Sequence, residues 1–161
     1  MKKHYKNKRN FEHGFSIVEL VVTIAIIAIV IPLISLSIRS FVMQSQLAEA
    51  TTQLTADLTR ARTSAVKHST TVTVTLRPDS YTLTQASPFN EQTYEIRNNA
   101  SLDFLNNGSY GTQATTIEYI HPYGEVDLPT NSQGWQIRVK KGTRERHIKI
   151  IGRTGKLIVK K

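Results

Sequence analysis

The sequence predicts an α+β fold: a long N-terminal helix, membrane-spanning in its first half, whose second half packs on a mostly antiparallel β-sheet head. Three observations lead there. Leu20 to Ile38 holds no charged residue, a run of about 19 positions and long enough to cross a hydrocarbon core. Leucine and alanine then recur at helical spacing from Leu47 to Ala65, and past Ser69 the apolar residues alternate with polar ones between clusters of turn residues.

The totals set bounds on what the chain can be. Its 161 residues suffice for one modest domain with an appendage. A mean hydropathy of -0.28 suits a soluble domain, yet the apolar residues are concentrated near the start. Cysteine is absent, which excludes a disulfide framework, a thiolate metal site and a cysteine nucleophile. The net charge of +9 is unevenly spread. Lys2, Lys3, Lys6, Lys8 and Arg9 face only Glu12 in residues 1–14, residues 15–133 are mildly acidic, and residues 134–161 carry ten Lys/Arg against Glu145.

Residues 1–14 form a basic leader and residues 15–38 an apolar helix. Positive charge ahead of an apolar run keeps the extreme N-terminus cytoplasmic. A secretory signal places a small-residue cleavage site after its apolar run. No such site follows here; the candidate processing point lies before the run, at Gly14-Phe15-Ser16-Ile17-Val18-Glu19-Leu20. Glu19 stands at the start of the apolar helix, where an unpaired carboxylate costs on the order of 2–3 kcal/mol. The helix dipole offsets part of that cost. Glu19 therefore either snorkels to the interface or meets a partner. Pro32 removes one hydrogen bond from the helix interior and predicts a bend.

The heptapeptide resembles the class III signal of type IV pilins and type II secretion pseudopilins. The resemblance implies that a prepilin peptidase cuts between Gly14 and Phe15 and N-methylates Phe15. It also implies that Glu19 is neutralised by the terminal amine of a neighbouring subunit during assembly. The implied partners are other pilin or pseudopilin subunits, the prepilin peptidase, an inner-membrane assembly platform and, through the helix, membrane lipid. The implied location is the cytoplasmic membrane, single-pass, with the head outside the cytoplasm, and then a filament.

Residues 39–68 continue as an amphipathic helix. Leu47, Leu54, Leu58, Ala61 and Ala65 share one face, while Gln44, Glu49, Asp57, Arg60 and Arg62 mostly occupy others. A helix over residues 16–67 spans roughly 75 Å. Residues 69–161 form the β-rich head. Val72, Val74 and Leu76 alternate with threonine, Arg77-Pro78-Asp79-Ser80 turns the chain, and Tyr81 and Leu83 resume the alternation as a hairpin. Thr93–Arg97, Thr115–Ile120 and Gly124–Leu128 read as short strands. Asn98-Asn99, Asn106-Asn107-Gly108 and His121-Pro122-Tyr123-Gly124 supply turns between them. A meander ends the chain: Trp135–Lys140, Glu145–Ile151 and Lys156–Lys160, joined by turns at Lys141-Gly142-Thr143 and Gly152-Arg153-Thr154-Gly155.

Leu58 to Lys67 running into the threonine-valine strand resembles the helix-to-sheet junction of the H-type minor pseudopilins, the GspH/FimT-like group. Ile148 to Val159 resembles that group's C-terminal hairpin. The resemblance implies a minor subunit that initiates or caps a type IV pilus or a type II secretion pseudopilus. It also implies an alternative, a DNA-binding minor pilin of an uptake system with Arg153 and Lys156 at the last β-turn. The wider basic cluster adds Lys140, Lys141, Arg144 and Arg146. Three readings fit that cluster: a polyanion site, a solvated face whose lysines guard sheet edges, and attraction to anionic lipid or to an acidic neighbouring subunit. Enzyme chemistry has no foothold. His4, His13, His68, His121 and His147 lack metal-ligand spacing, and no phosphate loop, HExxH pair or serine elbow is present. Neither a metal nor a cofactor is expected.

Overall fold

The computed structural model describes residues 15–86, 88–106, 109–127 and 134–160, with the side chains of 33–37 and 106 excepted. One helix, α1 (Ile17–His68), accounts for 52 of them and runs through Pro32. Ser16 caps its start: its Oγ accepts the Val18 N–H at 3.3 Å, and its carbonyl accepts the Leu20 N–H at 3.1 Å. Hydroxyls of Thr51, Thr55, Thr59 and Thr63 each donate to the carbonyl four residues back, at 2.7–2.9 Å, so these β-branched residues sit in the helix with their polar atoms satisfied. The helix stops where Ser69 adopts φ 49° and Thr70 N–H returns to the Ala65 carbonyl.

By contacts the chain divides into two units, Met1–Arg39 and Ser40–Lys161. In the first, the described part is the apolar half of α1. Among the described residues, the second holds the rest of α1 and ten strands.

β1 (Val72–Leu76), β2 (Ser80–Gln85), β3 (Asn90–Glu95), β6 (Thr115–Ile120) and β7 (Glu125–Val126) form one sheet, ordered β3-β2-β1-β6-β7. β4 (Ser101–Asn106), β5 (Ser109–Gly111), β8 (Trp135–Lys141), β9 (Arg144–Ile151) and β10 (Lys156–Lys160) form the other, ordered β10-β9-β8-β4-β5. All pairings are antiparallel. The antiparallel β-sheet head that the sequence predicts is thus built of two sheets. The first crossing between them, from β3 to β4, is a 3-10 turn, Arg97–Asn99, where Asn98 takes φ 61° and Asn99 φ 51°. Asparagine tolerates that left-handed backbone better than most residues. Two hydrogen bonds tie the crossing to the first hairpin's turn, Ile96 N–H to Asp79 O and Leu102 N–H to Pro78 O.

The core lies between α1 and both sheets. Leu47, Leu54, Leu58, Ala61 and Ala65 are buried, as their spacing predicts, against Val74, Leu76, Ile117 and Tyr119 of the first sheet and Leu102, Ile137, Ile148 and Ile150 of the second. Each fully buried leucine contributes about 1.5–3 kcal/mol. Asp57 departs from expectation: three residues beyond Leu54, it shares the inner face and is buried. Its carboxylate accepts hydrogen bonds from the Tyr81 hydroxyl and from Gln53 Nε2, which satisfy it there.

Candidate functional site

Gly14 and the leader lie outside the described residues, so the site begins at Phe15. Phe15 is 75% exposed, and Ile17, Val21, Ile24 and Ile29 are exposed in the same way along the apolar half of α1. Apolar side chains exposed over so long a stretch mark a surface that lipid or another subunit covers. Among the described residues, no helix is long and apolar enough to cross a membrane. The side chains of 33–37, inside the apolar run, are not in that set. Glu19 sits in the first turn of α1, where its carbonyl accepts the Thr23 hydroxyl at 2.6 Å. Its carboxylate is exposed, with no ion-pair partner among the described residues. Ser16 and Glu19, three apart, have the spacing of a helix N-terminal capping box.

Strand register distributes the basic residues of the C-terminal meander over two faces. Ile137 and Val139 point inward on β8, so Arg138 and Lys140 point outward. Both meet acid there. Arg138 lies 2.6 Å and Lys140 2.9 Å from Asp103 Oδ2, and Arg138 also reaches Glu145 at 3.5 Å. Arg138 stacks 4.1 Å over the Tyr110 ring, whose hydroxyl lies 3.1 Å from His147 Nδ1. Burial alone would raise the Asp103 carboxyl, but hydrogen bonds from Lys140 and Arg138 outweigh it and hold the group below the usual carboxylate range.

Lys141, Arg144 and Arg146 lie on the other parity. Lys141 Nζ donates to the Asn98 carbonyl and Arg144 to Ser40 Oγ, both structural ties. Arg146 borders a groove with Thr51, Thr55 and Val159. Near Asn98, Glu49 receives hydrogen bonds from Asn98 and Arg97, which lower its pKa.

Arg153 and Lys156 flank the β9–β10 turn and are exposed. The turn itself is pinned: the Val126 N–H donates to the Arg153 carbonyl at 2.8 Å, which ties β7 to it. Gly155 takes φ +64°, and a Cβ there would stand 2.8 Å from Val126 Cγ2, so only glycine fits. Lys149, Arg153, Lys156 and Lys160 have no ion-pair partner among the described residues. The six basic candidates therefore separate into one neutralised by acid (Lys140), two structural (Lys141, Arg144), one in a groove (Arg146) and two at the pinned turn with no ion-pair partner among the described residues (Arg153, Lys156). Among the described residues, no group of three or more His, Asp or Glu gathers to hold a metal.

Residues 9–31 match the family described as the prokaryotic N-terminal methylation motif. That stretch contains Gly14, Phe15, Glu19 and the start of α1, and such a motif is typical of type IV pilins and pseudopilins. The chain is in this sense pilin-like, and the motif implies membrane anchorage followed by filament assembly. No curated protein and no solved structure matches it.

Proposed function

We propose that the chain is a filament subunit of the type IV pilin and pseudopilin class. Within that class it is of the H-type minor kind that initiates or caps a pilus or a secretion pseudopilus. One conjunction carries the reading: the methylation motif over residues 9–31 opens a single helix that passes from an apolar half into the core of an α+β head. The basic leader stays in the cytoplasm, the peptidase cuts after Gly14, and Phe15 receives the methyl group. Residues 15–38 then hold the subunit in the cytoplasmic membrane with the head outside. The run from Leu20 to Ile38, free of charge, supports that span.

Glu19 gives assembly its direction. A carboxylate held in hydrocarbon is costly, and the terminal amine of a neighbour's Phe15 lowers that cost only when the two helices are correctly staggered. Glu19→Gln removes the charge and keeps the shape. The variant is expected to be processed normally while its share in sheared filaments falls roughly tenfold or more. Incorporation at the unsubstituted level would remove Glu19 from the mechanism.

A second reading, DNA capture, rests on the free cations at the β9–β10 turn. Salt-sensitive DNA binding by the full chain in detergent, lost in Arg153→Ala/Lys156→Ala, supports it. Absence of DNA affinity at low salt ends it.

A further inference from the structure

β3 is the last strand of one sheet and β10 the last of the other. Along its outer side each presents backbone N–H and C=O groups with no strand beside them among the described residues, a template on which another strand can add. Their charges are opposite. β3 reads Asn90-Glu91-Gln92-Thr93-Tyr94-Glu95, and β10 reads Lys156-Leu157-Ile158-Val159-Lys160.

Register fixes which side chains point outward. Tyr94 lies opposite buried Tyr81, which turns Glu91, Thr93 and Glu95 away from the core. Leu157 and Val159 lie opposite buried Ile150 and Ile148, which turns Lys156, Ile158 and Lys160 away from it. None of the two glutamates and two lysines has an ion-pair partner among the described residues.

The two edges also lie on opposite flanks of the second half of α1. Arg60 and Ser64 border the cleft beside Asn90 and Gln92, whereas Thr51, Thr55 and Thr59 border the groove beside Val159. At 3.6 residues per turn these two sets face opposite ways from the helix axis.

We propose that β3 of one copy adds to β10 of a second copy with Thr93 beside Ile158, joining heads in sequence. In antiparallel pairing Glu95 meets Lys156 and Glu91 meets Lys160; in parallel pairing the partners exchange. Either direction pairs acid with base at both ends and leaves Thr93 against Ile158. Edge lysines usually protect a sheet from pairing. Here the protection is selective: β10 against β10 sets lysine against lysine, β3 against β3 sets glutamate against glutamate, and only unlike edges attract. Because the two edges lie on opposite flanks of α1, one contact leaves the other edge of each copy open, and the contact extends as a row or closes as a ring. It does not depend on the processing of Phe15, and its failure would leave the reading of the N-terminal segment intact.

The chain has no cysteine, so cross-linking can test the register directly. Full-length Thr93→Cys and Ile158→Cys chains are reconstituted together in phosphatidylcholine vesicles and mildly oxidised, with Trp135 emission verifying a folded head in every variant. The mixed disulfide is expected to dominate over either like-with-like disulfide. Adding Glu91→Lys/Glu95→Lys to the Thr93→Cys chain should lower it roughly tenfold, since two attractive pairs become repulsive. Adding Lys156→Glu/Lys160→Glu to the Ile158→Cys chain should restore it. Like-with-like disulfides in equal yield, indifference to the first reversal, or no recovery with the second would each overturn the proposal.

Discussion

Two tyrosines of the head show how the same hydroxyl has opposite consequences in different surroundings. Tyr81 donates to buried Asp57, and burial followed by that hydrogen bond raises its pKa. Tyr119 is fully buried, and its hydroxyl has no hydrogen-bond partner among the described residues. Tyr81→Phe leaves a buried carboxylate with one donor fewer and should cost about 1–3 kcal/mol. Tyr119→Phe deletes an unsatisfied group and should be neutral or stabilising by up to about 1 kcal/mol. Thermal unfolding followed through Trp135, the sole tryptophan, reads both. Asp103 adds a pH dependence. Its folded pKa lies below its unfolded one, so its contribution is complete above the ordinary carboxylate range and disappears as pH falls through the folded value. Head stability should therefore drop on acidification below roughly pH 4, and Asp103→Asn should flatten that drop.

At the scale of elements, α1 carries the core. Leu54 is 1% exposed at its centre, and Leu54→Ala should destabilise the head by about 2–5 kcal/mol in a denaturant titration. That face was legible in the sequence because a 3.6-residue period repeats over several turns and survives one misplaced member, Asp57. The first hairpin was legible because Pro78 and Asp79 mark its turn between alternating strands. The last two turns were legible for the same reason, through Gly142, Gly152 and Gly155. β4 and β5 were not. Asn106-Asn107-Gly108 reads as a turn, but Ser101–Asn106 offers only Leu102 and Phe104 as an alternating pair, and β5 is three residues long. β3 is another case: read as Thr93–Arg97, it is Asn90–Glu95, because an edge strand with exposed polar side chains carries little periodicity.

Across the whole molecule, the division into two sheets was beyond local reading. Alternation says that a strand has an inner face; it does not say which sheet the strand joins. That choice is made by pairings far apart in sequence, such as β1 with β6 and β4 with β8. The same nonlocal register separates the basic residues that composition groups together, leaving Lys140 neutralised by Asp103 and Arg153 with no ion-pair partner among the described residues. The N-terminal segment was the opposite case. Its chemistry is contained in consecutive residues, Gly14 through Leu20, so the methylation motif could be read without any tertiary contact.

What unites head and helix is the claim that this chain is trimmed and methylated before it assembles. Mass spectrometry of the protein from cells expressing a prepilin peptidase tests that claim at the bond concerned. The expected product is a chain that begins at Phe15 and carries one added methyl group on its terminal nitrogen. A chain that retains residues 1–14, or one that begins elsewhere, would contradict it.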